Sequence, residues 1–177
     1  MIHMMLDLET LGVLPGCPII SIGAVMFNIE TNTLGQQFYV PIHEEQIGWG
    51  LHAEEATLEW WKTQSEEARR VFTDPKRMYL PEALALFIVW AKGQPNDFCL
   101  WANGADFDPP ILRRALANVE YPCPWDFWNV RCYRTIKNLR PDIKMKKFGE
   151  AHHALADATA QAVHLMDIFA QMEITIS

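Results

Sequence analysis

Asp7 and Glu9 lie two residues apart at the end of an apolar run, Ile2 to Leu8. In a β-strand, side chains at i and i+2 point to the same face. Two carboxylates side by side repel each other, and burying either one unpartnered is costly. A divalent cation between them resolves the conflict. Hard ions such as Mg²⁺ take oxygen ligands, often one or two carboxylates together with substrate phosphate and water. A solvated strand end would accommodate the same pair without any chemistry. Asp108 stands in the string Asn103-Gly104-Ala105-Asp106-Phe107-Asp108-Pro109. It is a third candidate acid, and equally a good helix N-cap with Pro109 at the first helical position. Asp157 sits among alanines in His152-His153-Ala154-Leu155-Ala156-Asp157-Ala158. Small neighbours let another element approach closely, and an acid buried on a helix calls for a partner. His152 is five residues earlier and cannot share a helix stripe with Asp157, so it is expected to reach the site from the preceding loop. His164, mid-helix with no acid pattern around it, reads as structural.

The elements that would position these groups follow from hydrophobic patterning. Ile2–Leu8 and Ile19–Asn28 read as strands. A polar stretch, Glu30–Gly35, reads as a hairpin turn into a third strand at Gln37–Val40. One helix is predicted over Ala56–Val71 and another over Pro81–Lys92, ended by Gly93 and Pro95. Phe98–Ala102 suits a buried strand. A helix starts at Asp108-Pro109, a helix or turn cluster covers Phe127–Leu139, and a last helix covers His153–Met172. Three antiparallel strands, helices, a buried strand and more helices make an α/β layout with a mixed sheet.

Composition bounds the function. The chain has 177 residues, enough for one domain spanning 1–177 with a sizeable core. Apolar residues are 50% and charged residues 21%, which excludes a disordered chain. The longest apolar run, Ala83–Ala91, is half of a membrane span, so no membrane partner is expected. Met1–Thr10 holds no Lys or Arg and does not read as a signal peptide. The four cysteines have no C-x-x-C spacing and read as reduced thiols in a cytoplasmic protein. The formal net charge of -7 argues against a protein that coats nucleic acid. That charge is uneven. Residues 1–61 hold eight acids and no Lys or Arg, whereas Arg131, Arg134, Lys137, Arg140, Lys144, Lys146 and Lys147 face only Asp142, a local net of +6. Such a run is usually a solvated face, but its position just before His152 suits phosphate contact.

Taken in order, these pieces resemble the DEDDh superfamily of 3′–5′ exonucleases. Asp7-Leu8-Glu9-Thr10 looks like its first motif, D-x-E-T. Asn103 to Asp108 looks like the second, with an Asn upstream of Phe-Asp. His152-x-Ala154-x-x-Asp157 looks like the third, H-x-A-x-x-D. The segment Thr57–Arg69, with Trp60 and Trp61, is similar to a bacterial and bacteriophage subgroup described as exoribonuclease-like or exodeoxyribonuclease-like. The resemblance implies a ribonuclease H-like fold and cleavage of DNA or RNA from the 3′ end, with release of nucleoside 5′-monophosphates. It implies two Mg²⁺ ions, replaceable by Mn²⁺, held by Asp7, Glu9, Asp108 and Asp157, with Asp7 the bridge. His152 is then the general base that deprotonates the attacking water. His153 is its rival, although the motif spacing selects His152. Thr10, Leu11 and Gly12 would lie under the terminal nucleotide, with Leu11 either a wedge against a base or plain core. Trp60 and Trp61 are about 100° apart on a helix, so one can be core and the other can stack on a base. Trp61 is expected to face the substrate, and Asn103 is a further substrate contact. Implied partners are single-stranded or overhanging nucleic-acid 3′ ends, and some members of the superfamily are homodimers. The competing readings are a ribonuclease H-like endonuclease and a non-catalytic nucleic-acid-binding module.

Overall fold

The computed structural model describes residues 2–95, 97–146 and 152–172. Five strands form one mixed sheet in the order β3-β2-β1-β4-β5. β1 (His3–Thr10) pairs antiparallel with β2 (Ile19–Asn28), and β2 pairs antiparallel with β3 (Thr33–Pro41). β4 (Cys99–Ala102) lies parallel to β1, and β5 (Val130–Cys132) lies parallel to β4 at the free edge. This is the expected α/β architecture, three antiparallel N-terminal strands joined by parallel ones. The third strand starts earlier than Gln37, because Asn32 takes a left-handed turn (φ 53°) and pairing resumes at once.

β1 is buried on both faces, and its alternation assigns each residue to one side. Met4, Leu6 and Leu8 join a large core with α3 (Leu80–Lys92) and α4 (Asp108–Asn118). Met5 packs on the other side with Val25, Phe27, Trp101 and the long α6 (Ala154–Met172). His3, Asp7 and Glu9 share the Met5 side. The expected single helix over Ala56–Val71 is instead broken. α1 (Glu55–Lys62) stops, Ser65 caps α2 (Glu66–Arg69) by accepting the Ala68 N–H at 3.1 Å, and a 3-10 turn, Arg70–Phe72, follows. The expected cluster at Phe127–Leu139 resolves into a 3-10 turn (Phe127–Asn129), β5 and α5 (Tyr133–Leu139). Among the described residues, no helix is long and apolar enough to cross a membrane.

Candidate active site

The carboxylates converge because two backbones touch. Asp7 pairs with Gly23 across β1 and β2. A Cβ on Gly23 would lie 2.2 Å from the Ala154 carbonyl carbon and 2.2 Å from the Leu155 nitrogen. Glycine on the strand and a fully buried alanine on the helix therefore seat the start of α6 directly on β2. That seating carries Asp157, one turn into α6, to the Asp7 and Glu9 side of β1. His152 lies just before α6 with φ 62°, and its backbone N–H donates to Asp157 Oδ2 at 3.1 Å. Asp108 was expected to cap α4, but Phe107 holds the N-cap position and Asp108 is the first helical residue. Pro109 and Pro110 have no N–H groups for a cap to satisfy. The Asp108 carboxylate is instead buried, and its Oδ1 accepts the Leu8 N–H of β1 at 3.0 Å.

The four acids destabilise one another's charged forms. Burial, then the charges of Asp108, Glu9 and Asp157, hold the Asp7 carboxyl well above the usual range. Burial, then Asp157 and Asp108, push Glu9 up to about 8. Asp108 and Asp157 are also raised, chiefly by burial, and each is partly offset by the backbone N–H it accepts. Glu9, His152 and Asp157 each place a ligand atom within 4.8 Å of the others. Asp7 and Asp108 flank this trio, and Gln161 donates its Nε2–H to Asp7 Oδ1 at 2.8 Å. Among the described residues no Lys or Arg forms an ion pair with these four acids, and hard oxygen donors that repel one another fit a divalent ion.

Two cavities meet at Leu8 and Glu9. A polar one of about 320 Å³ is lined by Asp7, Asn103, Lys137, His152, Asp157 and Gln161. Asn103 Oδ1 and Gln161 Oε1 are buried there without a hydrogen-bond partner, so the wall retains acceptors for a ligand. The second cavity, about 460 Å³, is mostly apolar and is lined by Thr10, Gly12, Val13, Trp60, Trp61 and Phe107. Thr10 Oγ1 donates to the Gly12 carbonyl at 2.7 Å. Gly12 is obligatory for packing, since a Cβ there would lie 2.6 Å from Cys17 Cβ.

A family description matches residues 2–169, the 3′–5′ exoribonuclease Rv2179c-like domain. The chain belongs to the Rv2179c-like family. It is a 3′–5′ exonuclease with the ribonuclease H-like DEDDh fold. The nuclease domain of 3′hExo, a DEDDh family member bound to rAMP, is similar at 16% identity and a TM-score of 0.65, over 99% of this chain and 96% of that one. Exonuclease X in complex with 5′ overhanging duplex DNA is similar at 15% identity and a TM-score of 0.60, over 98% and 94%. E. coli Exonuclease I in complex with a dT13 oligonucleotide is similar at 16% identity and a TM-score of 0.70, over 97% of this chain but 42% of that one. No curated protein matches the chain.

Within this Rv2179c-like domain, Trp61, expected to face the substrate, is buried, and Leu11, left open between wedge and core, lies in the core. Trp61 is 3% exposed and donates its indole N–H to the Thr10 carbonyl at 2.9 Å, so it is chiefly core and shows the cavity only an edge. Trp60 is the open one, 43% exposed. Leu11 is not a wedge. It is buried with Ile20, Trp61, Ala68 and Val71, because its N–H bonds Pro18 and its carbonyl bonds Glu54, turning the side chain inward. Lys147 lies outside the described residues. His153, the rival base, stacks on Tyr39 at 4.3 Å and accepts the Ala156 N–H through Nδ1, which caps α6. His152 instead stands edge-on to Trp60 (5.0 Å) and Trp61 (6.2 Å). Two contributors, Glu54 and Gln161, were missed, and Trp60 takes the exposed place expected of Trp61. Glu54 accepts the Val13 N–H and holds the Gly12 turn. Gln161 was signalled by a polar residue four positions after Asp157 in a buried alanine stretch.

Proposed function

We propose that this exonuclease removes nucleotides from the 3′ end of single-stranded RNA as nucleoside 5′-monophosphates, with His152 as general base. The observation that carries this reading is that Asp7, Glu9 and Asp157 line one cavity with His152, while the buried Asp108 carboxylate acts on Asp7 from behind it. The family description supports RNA as substrate. Asp7, Glu9, Asp108 and Asp157 would hold two divalent ions, Mg²⁺ first among them. A zinc-bound form of E. coli Exonuclease I among the similar structures supports a divalent cofactor. Bound there, the ions supply neutralisation of the phosphoryl oxygens and a more acidic attacking water.

The chain's own groups do the rest. His152 takes a proton from the water that attacks phosphorus, and the bond from phosphorus to the 3′ oxygen of the preceding nucleotide breaks. That oxygen leaves and acquires a proton. The indole edges of Trp60 and Trp61, and the bond from the His152 N–H to Asp157, fix where the imidazole stands. The apolar cavity takes the terminal base, with Trp60 as a stacking surface. Stacking there contributes about 1–3 kcal/mol and tolerates any sequence. Thr10 and Gly12 bring backbone close to that base, and Asn103 offers its unpartnered Oδ1 to the nucleotide. The test is incubation of 5′-labelled RNA and DNA oligonucleotides with and without Mg²⁺, alongside His152→Ala. A ladder shortened from the 3′ end, dependent on metal and lost in the variant, is the expected result. Cleavage of a 3′-blocked or circular RNA would overturn it.

A further inference from the structure

β5 is the outer strand of the sheet, and the chain on either side of it carries features the catalytic cavity does not use. Immediately before it, Phe127 and Trp128 stand 69% and 60% exposed, their rings edge to face at 4.8 Å. Neither belongs to a core cluster. Single exposed apolar residues are ordinary, but two large adjacent rings in water mark a contact surface. Arg131 turns back on this pair, its Nη1 donating to the Trp128 carbonyl at 2.6 Å and to Val130 at 3.1 Å. Arg134, three residues on, donates Nη2 to the Asn103 carbonyl. Gly104 makes room for that guanidinium, since its φ of 129° is open to glycine and a Cβ would lie 3.0 Å from Nη2. Lys137, three further on, lines the acid cavity itself.

Residues 128, 131, 134 and 137 thus make a line in chain order, through the turn, β5 and α5, whose first base reaches Trp128 and whose last two reach the acid cavity. Among the described residues, no carboxylate forms an ion pair with Arg131, Arg134 or Lys137. Arg140 departs from the line, because its Nε and Nη2 are spent on Asp142 at 2.9 and 2.6 Å. We propose that this line is the binding track for the single-stranded RNA on the 5′ side of the scissile bond. Its phosphates lie on Arg131, Arg134 and Lys137, and an upstream base stacks on Phe127 and Trp128. The proposal rests on the acid cavity being the exonuclease site.

Strand geometry sets the reach. Val130 is in register with Leu100, and Leu100 with Met4. Two residues precede Val130 and three separate Met4 from Asp7. Five residues along the strands and two strands across span about 19 Å, at ~3.3 Å per residue and ~4.8 Å between strands. That is about five to six stacked nucleotides at ~3.4 Å each. The aromatic pair therefore engages only substrates longer than a few nucleotides.

The experiment compares kcat/KM on a dinucleotide and a twelve-nucleotide RNA for wild type, Phe127→Ala, Trp128→Ala and Trp128→Phe. The expected result is that each alanine variant loses about five- to tenfold on the long RNA relative to the dinucleotide, and that Trp128→Phe recovers most of it. An equal loss on both substrates, or no loss on either, overturns the track. Anisotropy of the labelled twelve-nucleotide RNA in EDTA reads the track without cleavage. Binding weakened about fivefold by Trp128→Ala supports it even if the wild type cleaves nothing, an outcome that would sink the exonuclease assignment instead. Unchanged RNA binding, with the variants altering only the oligomeric state, shows that the pair covers a protein contact and overturns the track.

Discussion

The two ends of one face of β1 both bury ionisable groups, with opposite results. At the start, His3 is enclosed between Phe27 and Trp101 and accepts the Trp101 indole N–H at 3.1 Å. Burial holds its pKa down at about 4, so it stays neutral and satisfied. Four residues along, Asp7 and Glu9 meet Asp108 and Asp157, and their proton affinities rise because burial and the neighbouring carboxylates both disfavour the charged forms. Burial of a polar group alone therefore does not mark a site. What distinguishes the acid end is a set of groups that cannot satisfy one another and so require a ligand.

Asp7→Asn is the sharpest way to break this contrast. Removing one acid should cut hydrolysis by roughly 10³-fold, the scale of losing a preorganised charged group. It should also raise the melting temperature in EDTA, by about 2–4 °C for each kcal/mol of repulsion relieved. Activity and thermal scans on the same samples check both halves, and a variant that is inactive but no more stable would refute the repulsion argument. His152→Ala should lower turnover by about 10²–10³-fold while retaining most Mg²⁺ affinity in calorimetry. His153→Ala should stay within a few-fold of wild type, and a reversal of the two would move the base to His153. Saturating Mg²⁺, near 100 times its Kd, should raise the wild-type melting temperature by about 5–10 °C, and Asp7→Asn should shrink that shift.

The smallest effects are in pH dependence, where the two ends oppose each other. Unfolded Glu9 loses its proton near 4.5, whereas folded Glu9 holds it to about 8. The folded state binds more protons across that window, so metal-free stability falls as pH rises through it. His3 binds its proton near 6.5 unfolded and near 4 folded. The unfolded state binds more protons there, so stability falls as pH drops through that window. The two windows overlap from 4.5 to 6.5, where the slopes oppose, so melting curves in EDTA should fall more steeply with rising pH there in His3→Gln and less steeply, up to about 8, in Glu9→Gln.

The sequence carried most of the acid end. Strand spacing made Asp7 and Glu9 a pair, and the alanines around Asp157 marked a close approach, which Gly23 completes. The first four strands were legible along the chain as apolar runs, whereas their order in the sheet came only with the structure. β5 was not legible, because three half-buried residues between an aromatic turn and a basic helix carry no periodicity of their own. The break between α1 and α2 was equally hidden, since Ser65 caps one helix within a pattern that reads as continuous. Trp60 and Trp61 could not be separated by spacing alone. The Thr10 carbonyl chose between them by accepting the indole of Trp61. Gln161 belongs to no motif; its place four residues after Asp157 hinted at the site, and its 2.8 Å bond to a residue 154 positions away shows that it holds Asp7.

The seat of Ala154 on Gly23 has a consequence for biosynthesis. Asp7 emerges from the ribosome about 150 residues before Asp157, and the intervening chain builds the sheet and its first helical cover. Until α6 docks, the Asp7 face of β1 lacks its helical cover and the Asp157 carboxylate. The cluster is assembled by docking the last helix rather than by folding of the first strand. A chain that has not yet made α6 lacks Asp157, and so has only part of the acid set.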